Sequence, residues 1–320
     1  MQRTTISLLI AGALLAWLPC SPDVAHAQSS RTISDAEVLK VEIRDTSRIV
    51  TIGAAITEIV FALGHGDRVV GVDQTSTFPP AVRTKPNVGY MRALSAEGVM
   101  SLAPSLIVAT EGSGPPDVID ILARASVPFV LVPEGYDEAA VLRKVRYIAQ
   151  VLGEKENGEA MALAISADFK AMRAQLEKIS SPRKGVFVFA VGGGTPTVGG
   201  NKTSADGMFA LSGIENAMRS VSGYKPAVAE ATLAAAPDVV VTMLERNHSL
   251  EPSEMFALPA FAGTPAARDK RLVAISSYAL TFGPRTAHAA RNLAAAVYPE
   301  LSLSPLQPRP WTGEGVAAKP

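Results

Sequence analysis

A helical segment without proline separates this chain into two halves and limits what it can fold into. Residues 137–180 are rich in Ala, Glu, Lys, Leu and Met and are interrupted at Gly153. As one helix, residues 154–179 would be roughly 39 Å long, well beyond the usual length of a globular helix. The segment therefore predicts a helical strut between two domains. The alternative is a long surface helix inside a single domain.

Apolar runs of strand length alternate with helical patterns on both sides of that segment. The predicted strands are residues 48–52, 69–72, 106–109 and 129–132 in the first half, and 186–191, 238–243 and 271–275 in the second. The predicted helices are residues 57–63, 118–125, 204–211 and 285–297. Strands that alternate with helices predict parallel, doubly wound sheets. Such sheets bind ligands outside the carboxyl ends of their strands.

The predicted fold is therefore α/β, with two doubly wound lobes joined by a long helix and a ligand in the cleft between them. The N-terminal lobe takes residues 46–136, the linking helical segment residues 137–180, and the C-terminal lobe residues 183–303. Residues 304–320 are rich in proline and are predicted to form a disordered tail. The two halves also share a short repeat, because residues 95–108 align without a gap with residues 228–241.

The first 27 residues have the features of a secretory signal peptide. Arg3 supplies positive charge, residues 6–18 form a short apolar run, and Ala25-His26-Ala27 has the form of a cleavage site. Cys20 is the only cysteine, and its surroundings do not resemble a lipoprotein cleavage site. We therefore expect an exported, periplasmic protein that is cleaved after Ala27 and is not itself membrane-spanning. The formal net charge of +0 gives no argument for a nucleic-acid partner.

One loop has the residue types of an iron site. Residues 87–97 contain Tyr90 and Arg92 ahead of a predicted helix start at Ser95. In an extended segment these two side chains would face the same side. Tyrosine is a known axial ligand of haem iron, and a neighbouring guanidinium favours the ionised phenol and can hold a carboxylate. In the repeat, Tyr224 falls within one residue of the position of Tyr90. The alternative is a loop tyrosine whose ring packs at the surface.

A glycine-rich stretch raises a different possibility. Residues 192–203 follow a predicted strand and end in Lys202-Thr203, as a phosphate-binding loop would. That motif needs a glycine directly before the lysine, but Asn201 intervenes and Pro196 removes a backbone donor. A nucleotide site is therefore disfavoured. The histidines that follow the signal are far apart in sequence, which argues against a zinc site.

With these motifs, the chain resembles the haem-binding periplasmic proteins of bacterial haem ABC importers, within the helical-strut class of substrate-binding proteins. The resemblance covers residues 48–299, and its most specific piece is residues 89–98, Gly-Tyr-Met-Arg-Ala-Leu-Ser-Ala-Glu-Gly. The supporting pieces are residues 57–64, 75–80, 223–226 and 282–285.

The resemblance implies a binding protein for haem that is not an enzyme. It implies that Tyr90 coordinates the haem iron and that Arg92 supports this tyrosine. Met91 and Phe78 are expected to cover the porphyrin, and Tyr224 is expected to be a further contact from the other lobe. Some members of the family hold a second haem with a histidine in the segment that matches residues 189–194, where this chain has none.

The resemblance also implies partners. The protein would deliver haem to an inner-membrane ABC permease with its ATPase, and one acidic residue on each lobe, Glu58 and Glu215, would dock on arginine pockets of the permease. Two other interpretations stay open. A ferric-siderophore or cobalamin binding protein would share this architecture, because a fold does not fix a ligand. A secreted α/β enzyme would instead use the glycine-rich loop, and its turnover would depend on Lys202.

Overall fold

The computed structural model describes residues 31–34, 40–244 and 251–313. The predicted signal peptide, with its cleavage site after Ala27, lies outside these residues. Near the start of the described chain, β1 (Arg31–Ser34) and β2 (Lys40–Ile43) pair antiparallel. Within the described ranges, none of the helices has the length and apolar composition needed to cross a bilayer.

The N-terminal lobe is a parallel sheet covered by helices. Its strands are β3 (Ile49–Ile52), β4 (Val69–Val72), β5 (Leu106–Thr110) and β6 (Phe129–Val132), in the order β4-β3-β5-β6. Its helices are α1 (Ala54–Ala62), α2 (Ala96–Met100) and α3 (Pro116–Ala123). Every residue of β3, β5 and β6 is buried. Continuous burial is what a parallel sheet with both faces covered requires, so the predicted doubly wound lobe is confirmed here.

Two helices, packed side by side, form the linking segment. In α4 (Glu138–Leu152) the cap residue Asp137 accepts a hydrogen bond from the Ala140 N–H at 2.6 Å. Gly153, with a φ of 80°, ends α4 and lets the chain reverse into α5 (Lys155–Leu176). The 22 residues of α5 span roughly 33 Å. Because α5 packs against α4 and also against the last helix of the C-terminal lobe, it is the predicted connection between the lobes.

The C-terminal lobe contains a mixed sheet. Its strands are β7 (Lys184–Gly192), β8 (Thr195–Gly199), β9 (Glu215–Asn216), β10 (Tyr224–Pro226), β11 (Val239–Met243) and β12 (Leu272–Ile275). The order is β10-β8-β7-β11-β12, with β9 also pairing with β7. The helices are α6 (Ser204–Leu211), α7 (Ala229–Ala235), α8 (Pro252–Ala257), α9 (Pro265–Arg268) and α10 (Thr286–Val297). Short 3-10 helices lie at Gly66–Arg68, Pro80–Thr84, Ser277–Leu280 and Pro299–Leu301.

The glycine-rich stretch accounts for the mixed character of this sheet. Gly193 and Gly194 have φ values of 57° and 78°, as a tight two-residue hairpin turn requires. The turn sends β8 back antiparallel to β7, where a purely parallel sheet was predicted. The glycine-rich stretch thus begins as a hairpin turn between β7 and β8. A phosphate-binding loop would instead connect a strand directly to a helix.

Residues 304–313 also differ from the prediction of a disordered tail. They contain no helix or strand, but Leu306 is only 4% exposed and Trp311 packs against the core. The Arg309 guanidinium donates hydrogen bonds to Asp168 of α5 at 2.6 and 3.1 Å. Prolines restrict the unfolded chain, so little entropy is lost on ordering, and these few contacts hold the segment. We call residues 304–313 the C-terminal strap; residues 314–320 lie outside the described chain.

Asp168 joins the strap to two helices. It lies on α5, and its Oδ2 atom is 3.7 Å from Nε2 of His288 on α10. Burial opposes the ionisation of Asp168, but hydrogen bonds from His288 and Arg309 outweigh this effect and lower its pKa below the ordinary value of 3.8. A carboxylate with a lowered pKa in the folded state contributes stability above its ordinary pKa and loses it as the pH falls through the lowered value.

We expect Arg309→Gln to release the strap and to shift the fluorescence emission of Trp311 to the red, because the ring would leave its half-buried site. The measurement uses the chain without residues 1–27, in which Trp311 is the only tryptophan. The control is Arg268→Gln, which removes an exposed ion pair at 3.0 Å to the adjacent Asp269. Emission from Arg309→Gln that matches the wild type would contradict the role given to this arginine.

The same reporter tests the pH dependence of the strap. In the wild type the red shift should appear only as the pH falls below 3.8, the ordinary pKa of an aspartate. The pKa of Asp168 is lowered, so its carboxylate stays ionised below that pH. Asp168→Asn should show the shifted emission at neutral pH and little further change on acidification. A wild-type transition centred above that pH would assign the release to another group.

Candidate functional site

A cleft lies between the two lobes at the carboxyl ends of the N-terminal strands, where the doubly wound pattern predicts a ligand. Its cavity volume is about 180 Å³. The C-terminal lobe contributes residues from the start of α6 and from the loop after β12. The lining residues are Gly53, Ala54, Ala55, Ile56, Thr75, Met91, Arg92, Thr110, Glu111, Glu134, Tyr136, Ser204, Leu280 and Thr281.

The Tyr90 loop is held between two strand ends. The Gln74 N–H, just past β4, donates to the Gly89 carbonyl at 2.8 Å, and the Gly114 N–H, just past β5, donates to the Met91 carbonyl at 2.9 Å. Ser95 caps α2 by accepting a hydrogen bond from the Gly98 N–H at 3.2 Å. The predicted helix start at Ser95 is therefore confirmed, and the loop before it is fixed at both ends.

The backbone of this loop differs from the extended segment that the sequence predicts. The Ala93 N–H donates to the Tyr90 carbonyl at 2.8 Å, which closes a turn with Met91 and Arg92 at its centre. Met91 and Arg92 line the cleft. Tyr90 immediately precedes them and is half-buried. The turn arises because the loop must fold back within a few residues to enter α2. The side-chain alternation of an extended strand, which predicted that Tyr90 and Arg92 face the same side, therefore does not apply to this loop.

Tyr224 reaches the cleft from the opposite lobe. It lies on β10, and its hydroxyl is 3.1 Å from the hydroxyl of Ser204, which lines the cleft. Its ring packs against Phe189 with the ring centroids 5.0 Å apart. Tyr90 and Tyr224, which the repeat aligns to within one residue, therefore belong to opposite lobes. Met91 and Arg92 line one side of the cleft, and Ser204 lines the other.

Tyr136 is a cleft residue that the sequence prediction missed. Its ring packs edge-on against Phe282 with centroids 5.2 Å apart. Burial raises its pKa, and the nearby Glu134 and Tyr224 raise it further, while Arg92 opposes them. A raised pKa keeps Tyr136 as a phenol, which can donate a hydrogen bond but is a poor iron ligand. Because Arg92 and Tyr224 both affect this pKa, Tyr136 lies near the Tyr90 loop of one lobe and near Tyr224 of the other.

Two carboxylates at the strand ends were also missed. Glu134, just after β6, accepts hydrogen bonds from Thr110 at 2.5 Å and from the buried Lys144 ammonium at 2.8 Å. Glu111, just after β5, accepts a hydrogen bond from the Glu134 N–H at 3.0 Å. Lys144 thus balances the Glu134 charge, and Arg92 and Glu111 line the same cleft. Their position directly after two buried strands was a signal that could have identified them.

Phe78 and Glu58 occupy different surroundings from those expected. Glu58 is 4% exposed and accepts two hydrogen bonds from the Arg285 guanidinium, at 2.9 and 2.5 Å. Phe78 stacks on that guanidinium, 4.0 Å from its central carbon to the ring centroid. Burial raises the pKa of the Glu58 carboxyl, and the hydrogen bonds from Arg285 oppose this rise. Glu58 therefore does not present a free surface charge to a partner. Phe78 covers Arg285 and is not among the residues that line the cleft, so its contact with a ligand stays a prediction.

Glu215 is exposed, but it lies at the end of its sheet that is farther from the cleft. It belongs to β9 and pairs with Lys184, the first residue of β7. The cleft lies at the other end of the strands. Glu58 and Glu215 therefore do not lie on one surface that borders the cleft, because Glu58 is buried and Glu215 lies at the far end of its sheet.

The fold and the cleft define a two-lobed substrate-binding protein. The periplasmic binding protein family matches residues 49–279, and the chain belongs to this family. Among solved structures, it is similar to the periplasmic heme-binding protein RhuT from Roseiflexus sp. RS-1, with 35% identity and a TM-score of 0.76 over 80% of this chain and 100% of that one. It is similar at 36% identity and the same TM-score of 0.76 to the periplasmic heme-binding protein BhuT in complex with two hemes, over 79% of this chain and 98% of that one.

Two curated relatives broaden the comparison. The uncharacterized ABC transporter substrate-binding lipoprotein YvrC of Bacillus subtilis (strain 168) is 26% identical over 306 residues, which is 92% of this chain and 96% of the relative. A vitamin B12-binding protein of Yersinia pestis (strain Pestoides F) is 28% identical over 104 residues, or 32% of this chain and 37% of the relative. The match over nearly the whole chain is therefore to an ABC transporter substrate-binding lipoprotein, and the shorter match is to a vitamin B12-binding protein.

Proposed function

We propose that this chain is a periplasmic haem-binding protein that delivers haem to an inner-membrane ABC importer and has no enzymatic role. The observation that carries the proposal is the turn that follows Tyr90, because its two central residues, Met91 and Arg92, line the interlobe cleft. Similarity above 30% identity to two heme-binding proteins over most of their length supports the same ligand. Residues 1–27 would be removed on export.

Tyr90 supplies the iron ligand in this proposal. A phenolate is a hard oxygen donor that suits Fe(III), and the Arg92 guanidinium two residues later favours the ionised form or binds a propionate. Met91 offers an apolar, adaptable contact for the macrocycle. Tyr224 and Ser204 approach from the C-terminal lobe. Because ligand pockets for molecules of this size usually measure at least about 300 Å³, the cleft of about 180 Å³ has to widen when haem enters.

A cobalamin ligand is the second candidate. It is favoured by the similarity to a vitamin B12-binding protein, which extends over 104 residues. A corrinoid carries its own axial groups, so it has no need of a phenolate at Tyr90. The two candidates therefore differ in whether the Tyr90 hydroxyl contributes to binding.

Docking on the permease is better served by Glu97 and Glu230 than by the pair first predicted. The sequence repeat aligns these two residues, and each is exposed in the first turn of its helix, α2 or α7. The start of α2 is tied to the end of β5 by the Leu94 N–H bond to the Gly114 carbonyl at 3.0 Å. The start of α7 is tied to the hairpin after β7 by the Ala227 N–H bond to the Pro196 carbonyl at 2.8 Å. Each carboxylate thus lies on the rim of its lobe beside the cleft.

We expect Tyr90→Phe to weaken haem binding at least about 100-fold, equivalent to about 2.8 kcal/mol, and to remove the absorbance bands of tyrosinate-bound ferric haem. The substitution keeps the ring and removes only the ligand oxygen. Tyr147→Phe on α4 is the matched control and should bind haem as the wild type does. Tyr224→Phe should retain the tyrosinate bands. A wild-type spectrum from Tyr90→Phe would exclude Tyr90 as the ligand, and tight cobalamin binding that ignores Tyr90→Phe would favour the second candidate.

Arg92→Ala should weaken haem binding by roughly 10- to 100-fold, the range for groups that support a metal ligand. The loss should grow as the pH falls, because protons then compete better with iron for the phenol oxygen. Haem titrations followed by absorbance at several pH values measure both effects. Arg124→Ala, which removes an exposed arginine at the end of α3, is the control. Parallel pH profiles for Arg92→Ala and the wild type would leave Arg92 without this role.

Glu97→Ala combined with Glu230→Ala should leave haem affinity unchanged and reduce haem uptake by about tenfold, since rim charges act mainly on orientation and association rate. The assay is uptake into vesicles that carry the importer, with the binding protein supplied in its haem-loaded form. Each single variant should show a smaller loss. Glu215→Ala, an exposed glutamate at the far end of β7, is the control. If Glu215→Ala reduced uptake and the double variant did not, the docking surface would lie on the β9 side instead.

A further inference from the structure

A buried ion pair crosses from one lobe to the other behind the cleft. Glu58 lies on α1 of the N-terminal lobe, and Arg285 lies just before α10 of the C-terminal lobe. The guanidinium donates two hydrogen bonds to the carboxylate, at 2.9 and 2.5 Å, and the side chains are 12% and 4% exposed for Arg285 and Glu58. A bidentate pair of this kind has a restricted geometry. A large increase in the lobe separation at this point would therefore break both hydrogen bonds.

Two aromatic rings enclose the arginine. The central carbon of Arg285 lies 4.0 Å from the ring centroid of Phe78, in the N-terminal lobe, and 4.2 Å from that of Tyr278, in the C-terminal lobe. Both distances are well inside the range of favourable cation–π contact. We call the four side chains Glu58, Arg285, Phe78 and Tyr278 the interlobe brace. Each lobe contributes one charge and one ring, so neither lobe can form the brace alone.

The braced segments continue directly into the walls of the cleft. Ala55 and Ile56, one turn before Glu58 on α1, line the cleft from the N-terminal side, and Leu280 and Thr281 line it from the C-terminal side. Between them the backbones touch, because a Cβ atom on Gly283 would lie only 3.2 Å from Cα and Cβ of Ala55. The brace therefore limits how far these two walls can separate.

The C-terminal strap secures the brace from outside. A Cβ atom on Gly313 would lie 3.0 Å from Cε2 of Phe78, so the end of the strap packs against the ring that covers Arg285. The strap is fixed to α5 by the Arg309–Asp168 ion pair. Trp311 borders a groove that it shares with Leu63 and Gly64, at the end of α1, and with Met161 of α5. The strap thus starts at the C-terminal lobe, crosses the strut and ends on the N-terminal lobe.

We infer that the interlobe brace and its strap determine ligand specificity by limiting how far the cleft opens, so that a flat macrocycle enters and iron chelates or corrinoids with groups on both faces are excluded. This inference rests on the proposed haem function. Specificity can be obtained by building a clash against the wrong ligand as well as contacts to the right one. A flat ligand needs a small separation of the walls, whereas a ligand with bulk above and below its plane needs the brace to open.

The test combines the variants Glu58→Gln and Phe78→Leu with a matched control. Glu159→Gln removes one partner of another bidentate pair, with Arg146 at 2.6 and 2.9 Å, which lies within the α4–α5 segment and does not cross the lobes. Arg309→Gln is a further variant. It loosens the strap without changing the Glu58–Arg285 ion pair, and it replaces the brace variants if these fold poorly. Thermal unfolding followed by circular dichroism establishes which variants are folded.

The first measurement needs no ligand. Spin labels at Ile121→Cys and Arg268→Cys, exposed positions on α3 and α9, report the distance between the lobes by double electron–electron resonance. The chain without residues 1–27 has no native cysteine that could be labelled. The folded brace and strap variants should show a longer and broader distance distribution than the wild type and Glu159→Gln. An unchanged distribution in these variants would overturn the brace.

The second measurement ranks ligands by equilibrium dialysis with haem, cyanocobalamin and a ferric catecholate complex. The brace variants should bind cyanocobalamin or the catecholate about tenfold more tightly than the wild type, as expected if the open state rises from about 1% to about 10% of the population. Haem affinity should change less. Longer distances with an unchanged ligand ranking would overturn the role in specificity. Failure of the wild type to bind haem would instead overturn the proposed function, independently of the distance measurement.

Discussion

The crossover connections of parallel strands determine where this protein can hold a ligand. Because each parallel strand must return over a face of the sheet, the loops that leave the strands collect at one end. In the N-terminal lobe, Thr110 is the last residue of β5, and the loops after β5 and β6 carry Glu111 and Glu134. The Tyr90 turn is tied to the same edge through Gly89 and Met91. The helical linking segment then brings the second lobe against that edge. The cleft is thus a consequence of the topology, and its side chains decide its chemistry.

Polar contacts join the two lobes in addition to apolar packing. The Lys144 ammonium is held by Glu134 at 2.8 Å and also donates to the Phe282 carbonyl of the opposite lobe at 3.4 Å. Glu58 and Arg285 form a second connection. Buried ionic contacts contribute little net stability compared with apolar packing, but breaking one partner is costly. Such contacts favour one relative position of the lobes, whereas an apolar interface of similar size would tolerate sliding.

The sequence predicted the architecture better than the local geometry of the site. Buried strands such as residues 106–109 and the long helix of the linking segment were correctly identified, because their apolar periodicity is a local property. The mixed sheet was missed, since the turn at Gly193 and Gly194 depends on positive φ values that composition does not display. The order of the strap was missed because one distant partner, Asp168, holds Arg309. Likewise, the short sequence between Tyr90 and α2 folds as a turn that strand periodicity cannot describe.

Glu58 shows most clearly why a family resemblance did not by itself identify the residues of a docking surface. It is buried on α1 and paired with Arg285. Glu97 and Glu230, which the sequence repeat aligns, lie on exposed first turns instead. These carboxylates have different positions. Glu58 is buried between the lobes, whereas Glu97 and Glu230 face outward on separate lobes. A partner that held both outward carboxylates at a spacing wider than that of the closed protein would have to break the Glu58–Arg285 pair. In the proposed function, docking at such a spacing would therefore open the cleft, because the lobes move as rigid units.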